Sequence, residues 1–299
     1  MSEITYSVII PSVRPVQALN TVSALNSQTL PRKKYEIILV TPSLSAELTS
    51  LDRVKVVATG ETFSPGKNRN IGARTALGGI LLFIDDDCVP PQNWIESMVK
   101  VLEAKQDVAE VGCRVRYPNE SFWGRCADYC LFGAYQYKES GYQDLGSAAI
   151  AVRTDAWRTV GGMDEELLSS EDWDLSLRLR QNGVKCYFNS DVTVMHDHGR
   201  TSLFAIIANA FRSGLRSGLI VQARHYNQMS WLAKLSLVMG KPFLYWLLIL
   251  PYAVLVTVAY SKHFIFSDWR YLFYAPFVLM CQAFYHVGVF WRLAGMRSF

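Results

Sequence analysis

Residues 80–88 read Ile-Leu-Leu-Phe-Ile-Asp-Asp-Asp-Cys (ILLFIDDDC), five apolar residues that run directly into three aspartates. An apolar run this short has the length of a strand, and with no polar face it must be covered on both sides. The upstream sequence repeats the theme. Tyr6–Pro11, Tyr35–Thr41 (YEIILVT) and Val54–Ala58 are further strand-like runs. Between them lie stretches of helical spacing: Pro15 to Gln28, with Val16, Leu19, Val22 and Leu25 on one face, and a second opening near Ser64-Pro65. Trp94–Leu102 continues the alternation. Strands and helices in turn predict a layered α/β domain built on a parallel sheet.

Ligands in such sheets bind beyond the carboxyl ends of the strands, which is where Asp85, Asp86 and Asp87 fall. In an arbitrary loop three aspartates read as a solvated turn. At the end of an apolar strand their mutual repulsion calls for a cation, and Mg²⁺ or Mn²⁺ held with the oxygens of a diphosphate is the simplest occupant. Upstream, Ser64-Pro65-Gly66-Lys67-Asn68-Arg69-Asn70-Ile71-Gly72-Ala73 opens a helix with two glycines, two cations and two amides. Helix-start N–H groups with Lys67 and Arg69 suit a phosphate, although neither GK[ST] nor GxGxxG is present.

Downstream, Gly146–Val152 (GSAAIAV) is a small-residue run where backbone can approach a ligand. Glu171, Asp172 and Asp174 follow Ser169-Ser170, while Arg178 and Arg180 precede Gly183. Acids early, cations late and a terminal glycine predict a helix capped by one of the serines. Acids in a first turn are structurally ordinary, so the residues alone leave a catalytic role for Glu171 or Asp172 open. Val192–His198 (VTVMHDH) ends another strand with two histidines, of which His196 is a candidate ligand for a metal or diphosphate.

The chain has 299 residues, 30 Lys plus Arg against 26 Asp plus Glu, and a net charge of +4. That average conceals two chemistries: residues 1–202 carry net −4, whereas residues 203–299 hold nine cations and one acid. Composition excludes a disordered or disulfide-stapled chain, and the scattered cations exclude a nucleic-acid binder. The first residues lack the basic and apolar regions of a secretory signal. The six cysteines form no CxxC pair and read as reduced, buried thiols, with Cys126 and Cys130 sharing a helix face.

The cationic part contains Pro242 to Ser261, 20 residues without a charge, and Tyr271 to Trp291, another 21. At 1.5 Å per residue each spans about 30 Å, the thickness of the hydrocarbon core. Lysines and arginines gather before the first run and after the second, so the expectation is a hairpin with both ends at the cytoplasm. Residues 203–223 read either as an interfacial helix or as an ordinary packing helix. The expected organisation is a catalytic domain over 1–200, interfacial helices over 201–240 and a transmembrane hairpin over 241–299.

Taken in order, PSVR (11–14), GKNRNIGA, FIDDDCVPP, GSAAIAVR, GGMDE, SEDWDLSLRLRQNG and VTVMHDH resemble the family 2 glycosyltransferases of the GT-A fold, over roughly residues 5–200. The resemblance implies a Rossmann-like, mostly parallel α/β domain followed by the all-α, membrane-associated C-terminal region. It implies inverting transfer of a sugar from a nucleoside-diphosphate donor to a hydroxyl, with Mn²⁺ or Mg²⁺. By it Asp87 binds the metal, His196 closes over the metal or diphosphate, and Asp85 contacts the nucleoside with Asp86 beside it. Asp172 is the general base with Glu171 in reserve, while Pro11, Arg14, Lys67, Arg69 and Ser147 line the nucleotide-sugar pocket. The acidic turn that many members carry after their second strand is here Val40-Thr41-Pro42-Ser43, with no acid, so the nucleotide base is not fixed. A catalytic domain tied to a bilayer implies a lipid-linked saccharide or glycolipid acceptor, with the aromatic stretch Phe122 to Tyr137 beside it. The competing reading is a catalytically silent nucleotide-sugar binder in a polysaccharide assembly complex. A transporter is disfavoured because the two apolar runs hold no ionisable residue except His286.

Overall fold

The structure is a computed structural model, and it describes residues 4–13, 15–119, 121–131, 139–143, 145–146, 148–216, 218–238, 242–264 and 268–296. The strands are β1 (Tyr6–Pro11), β2 (Tyr35–Thr41), β3 (Val54–Ala58), β4 (Ile80–Ile84), β5 (Cys88–Val89), β6 (Val108–Arg116), β7 (Gly141–Tyr142), β8 (Ala149–Arg153) and β9 (Lys185–His196). The helices are α1 (Pro15–Asn26), α2 (Ala46–Thr49), α3 (Pro65–Thr75), α4 (Trp94–Ala104), α5 (Phe122–Leu131), α6 (Thr154–Thr159) and α7 (Glu171–Gln181). They continue with α8 (Leu203–Leu215), α9 (Gly218–Arg224), α10 (Trp231–Val238), α11 (Pro242–Phe264) and α12 (Tyr271–Leu293).

The chain divides into two compact units, residues 1–116 with 139–197 and residues 117–138 with 198–299. The first is a sheet ordered β3-β2-β1-β4-β8-β6-β9-β5, with β7 on β9. β1 to β4 are mutually parallel, and all five residues of β4 are buried, as an apolar strand covered on both faces requires. The sheet is mostly parallel, as expected, and mixed in its second half. β8 runs antiparallel to β4 and to β6, and β5 and β7 run antiparallel to β9. Strand β8 is AIAVR, whose small residues sit flat between β4 and β6; its direction is set by partners about 40 and 70 positions away. Gly78 lets the loop before β4 meet β1, because a Cβ there would lie 2.6 Å from the Ser7 backbone nitrogen.

Helix α7 begins where the spacing places it. Its cap differs: Ser170 occupies the N-cap in the left-handed region (φ 64°) and its hydroxyl makes no capping bond. The helix is held from its flanks. Arg178 donates to Asp174 Oδ2 (2.7 Å) and to the Val160 carbonyl (2.6 Å), and Ser176 donates to the buried Glu110 carboxylate (2.5 Å).

The second unit is helical. Residues 117–138, placed by the sequence within a 1–200 domain, group with the C-terminal helices because α5 turns aromatic rings toward α12. Phe122 packs on Tyr274 and Phe277, Trp123 on Phe277, and Tyr129 on Phe264, Tyr271 and Tyr274. Tyr129 also donates to Asp268 Oδ2 (2.6 Å). Cys126 and Cys130 do share a face, with sulfurs 3.9 Å apart, and all six thiols are free. Helices α8 and α12 cross in close contact, since a Cβ on Gly214 would lie 1.9 Å from the Tyr285 carbonyl oxygen. Among the described residues two helices are long and apolar enough to cross a membrane, over Pro242–Ala259 and Tyr271–Leu293, with 28% of each window buried. On α11, Tyr245, Ile249, Tyr252 and Ala253 face inward while Phe243, Trp246, Leu247, Leu250, Val254 and Val258 are exposed.

Candidate active site

Three elements of the first unit converge at the carboxyl end of β4. β4 delivers Asp85, α3 delivers Arg69, and α7 delivers Glu171 and Asp172. Arg69 is 2% exposed and forks between two carboxylates, 2.6 Å to Asp85 Oδ1 and 2.7 Å to Glu171 Oε1. Each is a charge-assisted bond of the strong kind. Gly66 permits the approach of α3, because a Cβ there would meet the Asp164 carbonyl oxygen and Glu171 Cγ at 3.3 Å.

The electrostatics follow from this crowding. Burial pushes the Asp85 carboxyl above its usual range, and Asp87 adds to the shift while Arg69 opposes it. Glu171 moves the same way, through burial first and the neighbouring Asp172 second, again against Arg69. Burial alone would lower the Arg69 pKa, but the carboxylates around it outweigh that and raise it. The arginine is thus a fixed cation committed to two acids. Its expected place in the nucleotide-sugar pocket is thus joined by a second task, since both ends of its fork are engaged by Asp85 and Glu171.

The three aspartates part company. The Asp86 side chain is buried and accepts from Ser12 Oγ (2.8 Å), while Thr21 donates to the Asp86 and Cys88 carbonyls. Asp86 therefore braces the turn against β1 and α1, where the sequence suggested a place in the pocket. Asp87 faces β9 instead, with His196 Nε2 3.1 Å from its Oδ1. The antiparallel pairing of Cys88 with His196 sets that meeting, and ligand atoms of Asp87, Cys88 and His196 all lie within 4.8 Å of one another. Burial, aided by Asp85 and Asp87, pushes the Cys88 thiol well above its ordinary range, and a thiol is a soft donor of the kind that hard cations such as Mg²⁺ and Mn²⁺ seldom take. The Asp87 carboxylate and the His196 imidazole are donors that suit a divalent cation.

The remaining expectations are less sharply placed. Pro11 ends β1 in register with Val40. Lys67 lies half-buried on α3 with its ammonium 3.5 Å from the centroid of the Phe63 ring. Asp172 is half-buried and takes a bond from the Trp173 N–H (2.8 Å). Arg14 and Ser147 lie outside the described residues. Sequence reasoning missed Asn70, which accepts from the Met163 N–H (2.9 Å) and donates to the Met163 carbonyl (2.8 Å) and Glu165 (3.0 Å). It stitches α3 to the loop leading into α7. Its sole sequence signal is an amide on the buried side of a helix.

A model of Glycosyl transferase family 2 matches residues 7–156. Glycosyltransferase AglE of Haloferax volcanii is 29% identical over 203 residues, which cover 64% of this chain and 66% of that protein. Glucosyl-dolichyl phosphate glucuronosyltransferase of the same organism is 25% identical over 164 residues, 49% of this chain and 51% of that one. The chain spans about half to two thirds of the length of the curated relatives it matches. Among solved structures, the mannosyltransferase PcManGT from Pyrobaculum calidifontis in complex with GDP-Man and Mn²⁺ shares the fold. Its TM-score is 0.66 at 17% identity, over 98% of this chain and 88% of that one. The α/β architecture is therefore GT-A-like, with helices following the sheet. Matched along half its length by the family model, the chain belongs to glycosyltransferase family 2, whose enzymes invert configuration and draw on nucleotide-sugar donors.

Proposed function

We propose that this protein transfers a sugar, with inversion, from a nucleoside-diphosphate donor to a hydroxyl of a membrane-linked acceptor, a lipid-linked saccharide or glycolipid. One observation carries the reading: Arg69 ties the aspartate at the end of β4 to the acidic pair at the start of α7. Two sequence blocks more than 80 residues apart thereby form a single centre. With Glu171 committed to Arg69, Asp172 is the base that takes the acceptor proton. Asp85 binds the nucleoside, and Lys67 balances diphosphate charge. Asp87 and His196 would hold a divalent ion, Mn²⁺ in preference to Mg²⁺, and such an ion would offset charge growing on the leaving diphosphate. A base and a leaving-group site on opposite sides of the sugar give one displacement, hence inversion.

Membrane attachment through α11 and α12 is supported by the exposed apolar face of α11. A soluble protein would cover such a face. The cations that precede α11 and follow α12 favour the cytoplasmic side for both ends of the pair. The lipid phosphate in one relative's name supports the acceptor class.

The test is turnover of a nucleotide-sugar panel by detergent-solubilised protein with a lipid extract, in Mn²⁺, Mg²⁺ or EDTA. Metal-dependent release of one nucleoside diphosphate coupled to a labelled lipid, lost in Asp172→Asn, is expected. Donor binding without turnover in any lipid moves the protein to the silent-binder class. A product of retained configuration overturns the mechanism.

A further inference from the structure

Beside α3 lies a cavity of about 360 Å³ whose lining includes Asn70, Arg74, Trp157, Arg158, Gly162 and Glu165. Its volume falls in the range of small-ligand sites. Two consecutive left-handed glycines keep it open. Gly161 has φ 79° with nothing within 4 Å of a would-be Cβ, and Gly162 has φ 75° with a would-be Cβ 2.6 Å from Asn70 Oδ1 and 3.2 Å from Trp157 Nε1. A side chain at Gly162 would fill the mouth between the amide and the indole.

The lining is rich in donors and poor in acceptors. Arg158, in the last turn of α6, is exposed, and its guanidinium makes no hydrogen bond or ion pair with another described residue, while its carbonyl accepts from the Gly161 N–H. Arg74 makes a loose 3.4 Å pair with Glu165 and keeps most of its guanidinium exposed. Trp157, stacked on Phe83 at 4.6 Å, adds an indole N–H that can only donate. Part of the acceptor capacity is taken up: Asn70 Oδ1 takes the Met163 N–H, and Glu165 Oε1 takes Asn70 and Arg74. Two guanidinium forks and an indole over a small hole match a phosphate better than a neutral sugar or a cation.

We propose that this cavity binds a phosphate-bearing monosaccharide, at a site separate from the nucleotide-sugar centre. Asn70 is next to Arg69 in the chain, and the Met163 sulfur lies 4.0 Å from Arg69 Nη1. An occupant clamping Arg74 to Arg158 therefore fixes the loop that leads to Glu171 and Asp172. Free sugar phosphate and the phosphosugar head of a lipid share the required chemistry.

The experiment titrates the full-length protein in detergent and EDTA with inorganic phosphate, glucose 6-phosphate or dodecyl phosphate, following intrinsic tryptophan fluorescence. Since no turnover is read, the result stands apart from the transferase reading. Saturable glucose 6-phosphate binding is expected, weakened at least about tenfold in Arg158→Ala and only partly restored in Arg158→Lys, which keeps the charge but loses the fork, with nucleoside diphosphate not competing. Stronger binding of dodecyl phosphate than of inorganic phosphate would identify a lipid headgroup as the source, and preference for glucose 6-phosphate a free sugar phosphate. Unchanged affinity in Arg158→Ala, competition by nucleoside diphosphate, or no saturation by about 10 mM of any probe overturns the proposal.

Discussion

Replacing Arg69 by methionine removes a buried cation that two carboxylates hold, and the structure sets the size of the effect. Glu171 is 7% exposed on its side chain and has little water to turn to, whereas Asp85 is 28% exposed and regains some. Breaking a buried ion pair by deleting one partner costs about 3–5 kcal/mol, while a pair open to solvent is worth below about 1 kcal/mol. Taking Glu171 at the first value and Asp85 near the second gives about 4 kcal/mol for Arg69→Met. With a urea slope of roughly 2 kcal/mol/M, the unfolding midpoint should fall by about 2 M. The readout is fluorescence of the buried Trp94 and Trp157 during urea titration in detergent, beside metal-dependent donor turnover. Arg69→Lys keeps the charge but loses the fork, so it should fall between the two. Adding Glu171→Gln to Arg69→Met should recover at least about 1.5 kcal/mol, because the orphaned charge is gone. A loss below about 1 kcal/mol with turnover intact would refute the bridge as the joint of the site.

Other expectations follow from local geometry. Burial and the Glu103 carboxylate beside it raise Tyr6 to about 12. An unfolded tyrosine ionises near 10, so the unfolded chain loses this proton first and stability should fall as pH rises from about 10 toward 12. Tyr6→Phe should flatten that limb in a pH series of thermal melts. Gly78→Ala drives a Cβ into the Tyr6–Ser7 backbone, and a loss of roughly 1–3 kcal/mol is expected by thermal unfolding. His196→Ala should cost more affinity for Mn²⁺ than for Mg²⁺ in metal titrations, because imidazole favours the former; equal losses would remove His196 from the ligand set.

The strands Tyr6–Pro11, Tyr35–Thr41, Val54–Ala58 and Ile80–Ile84 are legible as they stand because each is a closed apolar run between polar turns. The start of α7 is legible for the same local reason, from charges arranged along a helix. What escapes is set by distant partners. Arg69 reads as a pocket residue, and nothing local shows that Glu171, 102 positions away, also holds it. Asp86 looks like its two neighbours until Ser12 turns it inward. The direction of β8 is a choice made by the sheet, and its five residues, AIAVR, carry no mark of it.

The detour of residues 117–138 into the helical unit has a consequence for synthesis and for engineering. Phe122, Trp123 and Tyr129 emerge from the ribosome well over a hundred residues before Tyr271, Tyr274 and Phe277, which cover them. Until residues 271–277 have been made, α5 presents a sticky aromatic surface, a natural client for a holding chaperone. A gene cut after residue 200 makes that interval permanent. Such a fragment should come out aggregated, and a soluble version would need polar replacements on α5 as well as a new terminus.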